Sequence, residues 1–180
     1  MRRDGARVGD VIYVTGTLGD AALMLAARRG EHALSPDDAA AIRDRLERPV
    51  PRIAEGMELR NHVSSAIDIS DGLVADLGHI LEASAVGARL NLGAIPLSPT
   101  YRAHISQVGW DYALAGGDDY ELCVTVPPAR ASRVDTLAEA SGFALAAIGE
   151  ITAGRTLEIN DALGRAYRPK REGYQHFARG

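Results

Sequence analysis

The stretch that decides the fold of this chain is D-I-S-D-G-L, at residues 68–73. It places two carboxylates and a hydroxyl where an apolar run gives way to a helix. Because side chains alternate across a strand, Asp68 and Ser70 share the face opposite the isoleucines. Asp71 then begins the predicted helix, so the sequence predicts an acidic strand-to-helix junction.

An aspartate in an apolar strand is costly to bury unless a positive group meets it. A divalent cation is one such partner, because magnesium takes oxygen ligands and usually shares them with phosphates. Two structural explanations stay open at this point. Ser70 or Asp71 is an ordinary N-cap of the following helix, or Asp68 pairs with an arginine.

A second acidic motif, G-G-D-D-Y-E-L, occupies residues 116–122 and leads into the strand-like run Cys123–Val126. Its two glycines permit a sharp turn or a close approach to a ligand. Its three acids within four positions repel one another unless a cation or a donor is present. A surface turn explains the same residues equally well.

A third candidate is the turn Gly16–Asp20, between a predicted strand at Asp10–Thr15 and a predicted helix at Ala21–Arg29. A glycine-containing turn at a strand-to-helix junction can offer backbone N–H groups to an anion. The turn lacks the lysine and the hydroxyl of a P-loop, so the signal is weak. Asp20 is better explained as a helix cap.

The rest of the chain alternates between helices and strands. The further helices are predicted at Pro36–Glu47 with Ser35 as cap, at Arg52–Arg60 with basic ends facing phosphate or solvent, after Gly72 with Gly87 as stop, at Pro99–Val108 and at Pro127–Ser141. The further strands are predicted at Ala88–Leu92, Ala144–Ile151 and Thr156–Asn160. Trp110 is predicted to pack rather than to bind a ligand. The pattern predicts a mixed α/β (α+β) domain with layered helices and strands.

Composition narrows the class of protein. A length of 180 residues with 46% hydrophobic content suits one compact domain. The net charge of −4 argues against a nucleic-acid binder, whose binding surface would be basic.

The single cysteine, Cys123, lies in an apolar pattern, which predicts a core thiol and a reducing compartment. Without a membrane-length apolar run we expect no membrane partner and a cytoplasmic location. The five histidines show no paired spacing, which argues against zinc.

Taken in order, five segments of this chain resemble thiamine-monophosphate kinases. The matching segments are residues 9–21, 48–52, 67–73, 116–122 and 173–177. The resemblance runs over nearly the whole chain, and five motifs in family order are more specific than any one of them.

The resemblance implies an enzyme that transfers the terminal phosphoryl group of ATP directly to thiamine monophosphate, with several magnesium ions, giving thiamine diphosphate. The family belongs to the aminoimidazole ribonucleotide synthetase superfamily. Its members have an N-terminal domain, which mediates dimerisation and carries most nucleotide and metal ligands, and a C-terminal α/β domain. Residues 1–180 resemble the second domain only, so the expected partners are a missing N-terminal domain or a second copy in a homodimer.

The resemblance also implies roles for individual residues. Asp68 and Asp71 match magnesium ligands, while Ser70 and Arg3 match positions that contact ATP. Phosphoryl transfer relies on positioning and charge neutralisation, so we expect no catalytic nucleophile in this chain.

Two further positions match substrate contacts. Asp118 matches an acidic substrate-binding position where the family usually has glutamate. Tyr174 matches an aromatic contact near the C-terminus. A carboxylate and an aromatic face both suit a cationic thiazolium ring.

The sequence leaves other functions open. The chain is expected to be inactive alone, since most nucleotide ligands of the family lie in the other domain. One alternative is half of a related ATP-dependent synthetase. Another is a non-catalytic module that binds thiamine phosphates or assembles with a partner.

Overall fold

The computed structural model describes residues 1–170, which form one six-stranded sheet with helices on both faces. The strands are β1 (Val11–Thr15), β2 (Ser65–Ile69), β3 (Gly87–Asn91), β4 (Glu121–Val126), β5 (Leu145–Thr152) and β6 (Leu157–Asn160). The helices are α1 (Asp20–Arg28), α2 (Pro36–Glu47), α3 (Ile53–Leu59), α4 (Leu73–Ser84), α5 (Pro99–Val108), α6 (Asp111–Ala115) and α7 (Ala131–Ser141). Short 3₁₀ turns lie at Leu92–Ala94 and Pro128–Arg130. The mixed, layered α/β architecture confirms the prediction.

The strand order places three strand ends together. The sheet runs β2-β4-β1-β5-β3-β6, and its neighbours are antiparallel except for the parallel pair β3 and β6. In the register of β4, Cys123 lies opposite Val14 of β1, and Glu121 lies opposite Ile69 of β2. The carboxyl ends of β1 and β2 therefore meet the amino end of β4 at one edge of the sheet.

Alternation along the central strands divides the core between the two faces. The larger cluster contains Ile12 and Val14 and is covered by α1, α2, α4, α5 and α6. The smaller cluster contains Tyr13 and is covered by α3 and α7. Cys123 lies in the larger cluster, where burial raises the pKa of its thiol to about 12, so the prediction of a core thiol is confirmed. Trp110 packs against this cluster, also as predicted.

Several helix boundaries follow the predicted signals. The Ser35 hydroxyl accepts a hydrogen bond from the Asp38 backbone N–H at 3.1 Å, and Pro36 is the first residue of α2. Helix α5 begins at Pro99 and ends at Val108, as expected. Among the residues that the structure covers, no helix has the length and apolarity to cross a membrane.

Two boundaries of α4 differ from the prediction. The helix begins at Leu73 instead of Asp71, because Gly72 takes the N-cap position with φ 112° and no side chain caps the helix. The alternative that Ser70 or Asp71 is the N-cap is therefore wrong. The helix ends at Ser84, and the residue after it, Ala85, adopts the left-handed conformation, whereas Gly87 already belongs to β3.

Tertiary folding brings together two histidines that are distant in sequence. His32 Nε2 lies 2.9 Å from His104 Nδ1, and His104 Nε2 lies 3.3 Å from the Asp38 carboxylate. Because a carboxylate only accepts, His104 donates to Asp38 through Nε2. This chain of hydrogen bonds ties the segment after α1 to α2 and α5.

Candidate functional site

The two acidic motifs form one structural unit at the edge where β1, β2 and β4 meet. The backbone N–H of Asp118 donates to the Ser70 carbonyl at 2.9 Å. The backbone N–H of Tyr120 donates to the Ile69 carbonyl at 2.8 Å. These bonds continue the pairing of β4 with β2, so the loop before β4 follows the loop after β2.

The glycines of this unit allow its loops to pack backbone against backbone. A Cβ on Gly117 would lie 2.5 Å from the Ser70 carbonyl oxygen, and one on Gly72 would lie 2.8 Å from the Ala115 carbonyl carbon. Both distances are shorter than real Cβ contacts. The glycines therefore serve close approach to the neighbouring protein chain.

Residues 118–121 alternate between exposed and buried positions. Asp118 and Tyr120 are exposed, whereas Asp119 and Glu121 are buried. Asp118 has φ 68° and Tyr120 has φ 50°, in the left-handed region that non-glycine residues rarely adopt. The motif presents one pair of side chains outward and anchors the other pair inside.

Asp119 is anchored by the turn before α1. The Gly19 backbone N–H lies 3.0 Å from both carboxylate oxygens of Asp119. Burial is the main cause that raises the pKa of Asp119 well above its ordinary value. The N–H that the glycine turn offers is therefore taken by a side-chain carboxyl group of the protein itself.

The prediction for Asp20 is wrong, because the cap position of α1 is Gly19 and Asp20 is the first residue of the helix. The Asp20 carboxylate is buried and accepts hydrogen bonds from the hydroxyls of Thr17 at 3.2 Å and Ser98 at 2.6 Å. Burial raises the pKa of Asp20, opposed by these hydroxyl donors.

Glu121 is the second anchor and meets two arginines. Arg52 donates from Nε and Nη2 to the two oxygens of Glu121, each at 2.7 Å. Arg45 donates to Oε1 of Glu121 at 2.9 Å and also to the Thr17 carbonyl. The Thr15 hydroxyl donates to the same carboxylate at 2.6 Å. The expectation that the basic start of the α3 segment faces phosphate or solvent is wrong for Arg52, whose charge is used inside the protein.

Asp76 holds the loop that follows β2. Its Oδ2 accepts hydrogen bonds from the backbone N–H groups of Ser70 and Asp71, each at 2.9 Å. Burial raises the pKa of Asp76, opposed by these two donors. The sequence analysis missed Asp76. The one signal for it is its position next to Leu77 in the first turn of α4, where an acid on the apolar side of the helix indicates a buried partner.

The predicted metal and substrate carboxylates share one negatively charged neighbourhood. Asp68 is exposed on β2, Asp71 is half-buried and Asp118 is exposed. The Asp118 charge is the largest cause that raises the pKa of Tyr120, with burial and the charges of Asp68 and Asp71 adding to it. The three carboxylates therefore all lie close enough to Tyr120 to raise the pKa of its phenol.

The predicted ATP contacts lie at two places. Ser70 is half-buried between Asp68 and Asp71, and its carbonyl is bonded to Asp118. Arg3 is exposed, and its carbonyl accepts a hydrogen bond from Ser84 at the end of α4. Tyr174, the predicted aromatic contact, lies outside the described residues.

The carboxylates fit one kind of cation site. Within residues 1–170, no group of three or more histidine, cysteine, aspartate or glutamate side chains could hold a metal ion. Magnesium, however, is usually held by one or two carboxylates together with waters and substrate phosphates. Asp68 and Asp71 are carboxylates of the kind that such an open site uses, and their role as magnesium ligands stays a prediction.

The fold and the acidic edge define a recognised class of domain. Residues 7–161 match the family "AIR synthase related protein, C-terminal domain", and the chain belongs to that family. Its sequence relatives are thiamine-monophosphate kinases. The protein of that name from Salmonella typhimurium is 41% identical over 183 residues, which cover 99% of this chain and 55% of the relative. The chain therefore spans about half the length of the curated relatives that it matches.

Solved structures indicate the same relationship to thiamine-monophosphate kinases. The crystal structure of thiamine-monophosphate kinase from Stenotrophomonas maltophilia superposes with a TM-score of 0.84 at 39% identity, over 93% of this chain and 54% of the other. The structure of AaThiL complexed with AMPPCP and TMP gives a TM-score of 0.77 at 32% identity, over 97% of this chain and 53% of the other.

Proposed function

We propose that this chain is the substrate-side half of a thiamine-monophosphate kinase. In this function the terminal phosphoryl group of ATP is transferred directly to the phosphate of thiamine monophosphate, giving thiamine diphosphate. The observation that carries the proposal is the junction of the two acidic loops, in which Asp118 bonds to the Ser70 carbonyl. This bond holds Asp118 beside the loop that carries Asp68 and Asp71, and carboxylates suit both a magnesium-bound nucleotide and a cationic substrate.

The proposed roles follow from exposure and charge. Asp68 and Asp71 hold magnesium, and Ser70 and Arg3 contact ATP. When bound there, magnesium would neutralise charge on the phosphate oxygens. The protein contributes position, because Asp76 fixes the backbone that carries Ser70 and Asp71.

Substrate recognition is assigned to the outward side of the second loop. Asp118 is exposed beside the metal carboxylates and offers a negative charge to the thiazolium ring of thiamine monophosphate. Its side chain is one methylene shorter than the glutamate usual in the family. Tyr174 is proposed as an aromatic contact to the same substrate.

The partner that completes this half is proposed to be a nucleotide-binding domain like the one that precedes this domain in the family, with dimerisation through that domain. Relatives are nearly twice as long as this chain, which supports the proposal. Consumption of ATP and a single buried thiol favour a cytoplasmic location.

A second candidate function is a non-catalytic module that binds thiamine phosphates. It is favoured by the same length difference, because the chain matches about half of each kinase. The two functions differ in what a first domain adds: a half-enzyme gains turnover from it, and a binding module does not.

The experiment measures thiamine diphosphate formed from ATP, magnesium and thiamine monophosphate. The chain is assayed alone and mixed with the separately produced N-terminal half of a relative. We expect no turnover alone and measurable turnover in the mixture. Robust turnover by the purified chain alone would contradict the half-enzyme proposal, and substrate binding without rescue would favour the binding module.

A further inference from the structure

Tyr120 combines strain with exposure. It is a bulky aromatic residue with φ 50°, and 37% of its surface is exposed. This backbone conformation is an outlier for a bulky side chain, and such outliers cluster at functional sites. Resting on the proposed function, we infer that Tyr120 is a specificity-determining residue whose ring face contacts the cationic ring of the substrate.

The surrounding contacts impose this conformation. The Tyr120 backbone N–H is bonded to the Ile69 carbonyl at 2.8 Å. On either side, Asp119 is held by Gly19 and Glu121 is held by Arg52. With both neighbours anchored inward, the ring is held outward before any ligand arrives, which lowers the entropic cost of binding.

The charges around the ring select a cation. Tyr120 Oη lies 3.4 Å from Asp118 Oδ1, a long and weak hydrogen bond. A phenol, with an ordinary pKa of about 10, is neutral at physiological pH, and the Asp118 charge, burial and the charges of Asp68 and Asp71 raise the pKa of Tyr120 further in the same direction. A neutral phenol attracts a cation through its face, and the nearby carboxylates add Coulomb attraction. A phosphate group placed there without a cation would be repelled.

Packing does not explain the residue. Tyr120 belongs to neither hydrophobic cluster of the part of the chain that the structure covers. A glycine would adopt the same backbone conformation without strain. The aromatic side chain therefore needs a reason outside the fold, and a cationic ligand supplies it.

The test compares two ligands by calorimetric titration of the 180-residue chain. One is thiamine monophosphate, and the other is its uncharged analogue with carbon replacing the thiazolium nitrogen. The wild-type chain should prefer the cation. Tyr120→Ala and Tyr120→Gly should reduce that preference by roughly 2- to 30-fold, the range of a cation–π contact, and Tyr120→Phe should retain it.

Ala85→Gly is the matched control. Ala85 is also a non-glycine residue in the left-handed region, with φ 56°, and it lies at the far end of α4 from the acidic loops. Its substitution relieves the same kind of strain and should leave the ligand preference unchanged. Thermal unfolding of every variant confirms that the titrated protein is folded.

The outcomes separate the two proposals. If the wild-type chain binds neither compound, this inference fails, and the proposed function is decided separately by turnover in the mixture with a first domain. If the chain binds thiamine monophosphate but Tyr120→Ala weakens both ligands equally, the ring contact is rejected and the proposed function stands. The ring contact is also rejected if Tyr120→Phe loses as much preference as Tyr120→Ala.

Discussion

Arg52 binds Glu121 through two parallel hydrogen bonds of 2.7 Å, one to each carboxylate oxygen. The pair joins the residue before α3 to the first residue of β4. The planar guanidinium matches the carboxylate in a way that lysine does not. The buried Glu121 thereby fixes the backbone of the acidic motif, and this backbone carries the exposed residues Asp118 and Tyr120.

Arg52→Met should destabilise the chain strongly. Glu121 is fully buried, so losing one arginine leaves its charge only partly compensated by Arg45. We expect a loss of about 3 kcal/mol in the free energy of unfolding, as when one partner of a buried ion pair is removed. Denaturant titration measures it.

The control for this substitution is Arg89→Met. Arg89 and Glu150 form an ion pair at 2.8 Å, but both side chains are about half exposed. Exposed pairs contribute about 0–1 kcal/mol, so this variant should unfold nearly like wild type. Equal losses for the two variants would contradict the anchoring role of Arg52.

Gly117→Ala should separate the two acidic loops. The new methyl group would lie 2.5 Å from the Ser70 carbonyl oxygen, which is backbone and cannot swing away. Gly78→Ala in α4 is the matched control, because a Cβ there meets nothing within 4 Å. The control should gain up to about 1 kcal/mol from helix propensity, while Gly117→Ala should lose stability. Chemical unfolding of both variants compares them, and a stable Gly117→Ala protein would argue against the close loop contact.

Asp119→Asn should change how stability depends on pH. Burial raises the folded-state pKa of Asp119, so in the window above the ordinary value of about 4 the folded state binds more protons than the unfolded state. The contribution of this group to stability is therefore present at low pH and is lost as pH rises toward the folded-state pKa. Asparagine can still accept from Gly19 but does not titrate. The variant should gain on wild type as pH rises from 4 to 8, measured by thermal unfolding; a pH-independent difference would refute this.

Asp71→Asn and Asp68→Asn should impair a reassembled enzyme. Each removes a charge that an oxygen ligand to magnesium needs, so turnover should fall roughly tenfold or more and recover partly at higher magnesium. Asp37→Asn, at an exposed position in the first turn of α2, makes the same change in net charge and serves as the control. Turnover against magnesium concentration measures the effect. Unchanged magnesium dependence in both site variants would rule out the metal role.

The sequence predicted the elements of the fold better than their ends. The Ser35 cap and the proline after it located the start of α2, and proline at position 99 located the start of α5. The start and end of α4 depended on two left-handed or irregular residues, Gly72 and Ala85. Alanine carries no sequence signal for a left-handed conformation, so only the structure reveals that stop.

The sequence revealed the exposed acids of the candidate site, and their roles as ligands stay predictions. Asp68 and Asp118 could be found because acids beside apolar runs stand out in a sequence. The buried half could not, because the partners of Asp119 and Glu121 are distant along the chain: Gly19 is 100 positions from Asp119, and Arg52 is 69 positions from Glu121. Whether an acid is a ligand or a buried anchor is decided by such contacts, which local patterns do not encode.

Exposed and buried side chains alternate along residues 118–121, so the length of this loop determines which side chains face outward. A deletion of one residue within the loop would exchange the two pairs, turning an exposed carboxylate inward and moving Glu121 into solvent. An aspartate at position 118, where the family usually has glutamate, keeps this alternation and only shortens one exposed side chain. The length of the loop should therefore be constrained more tightly than the identity of its exposed residues.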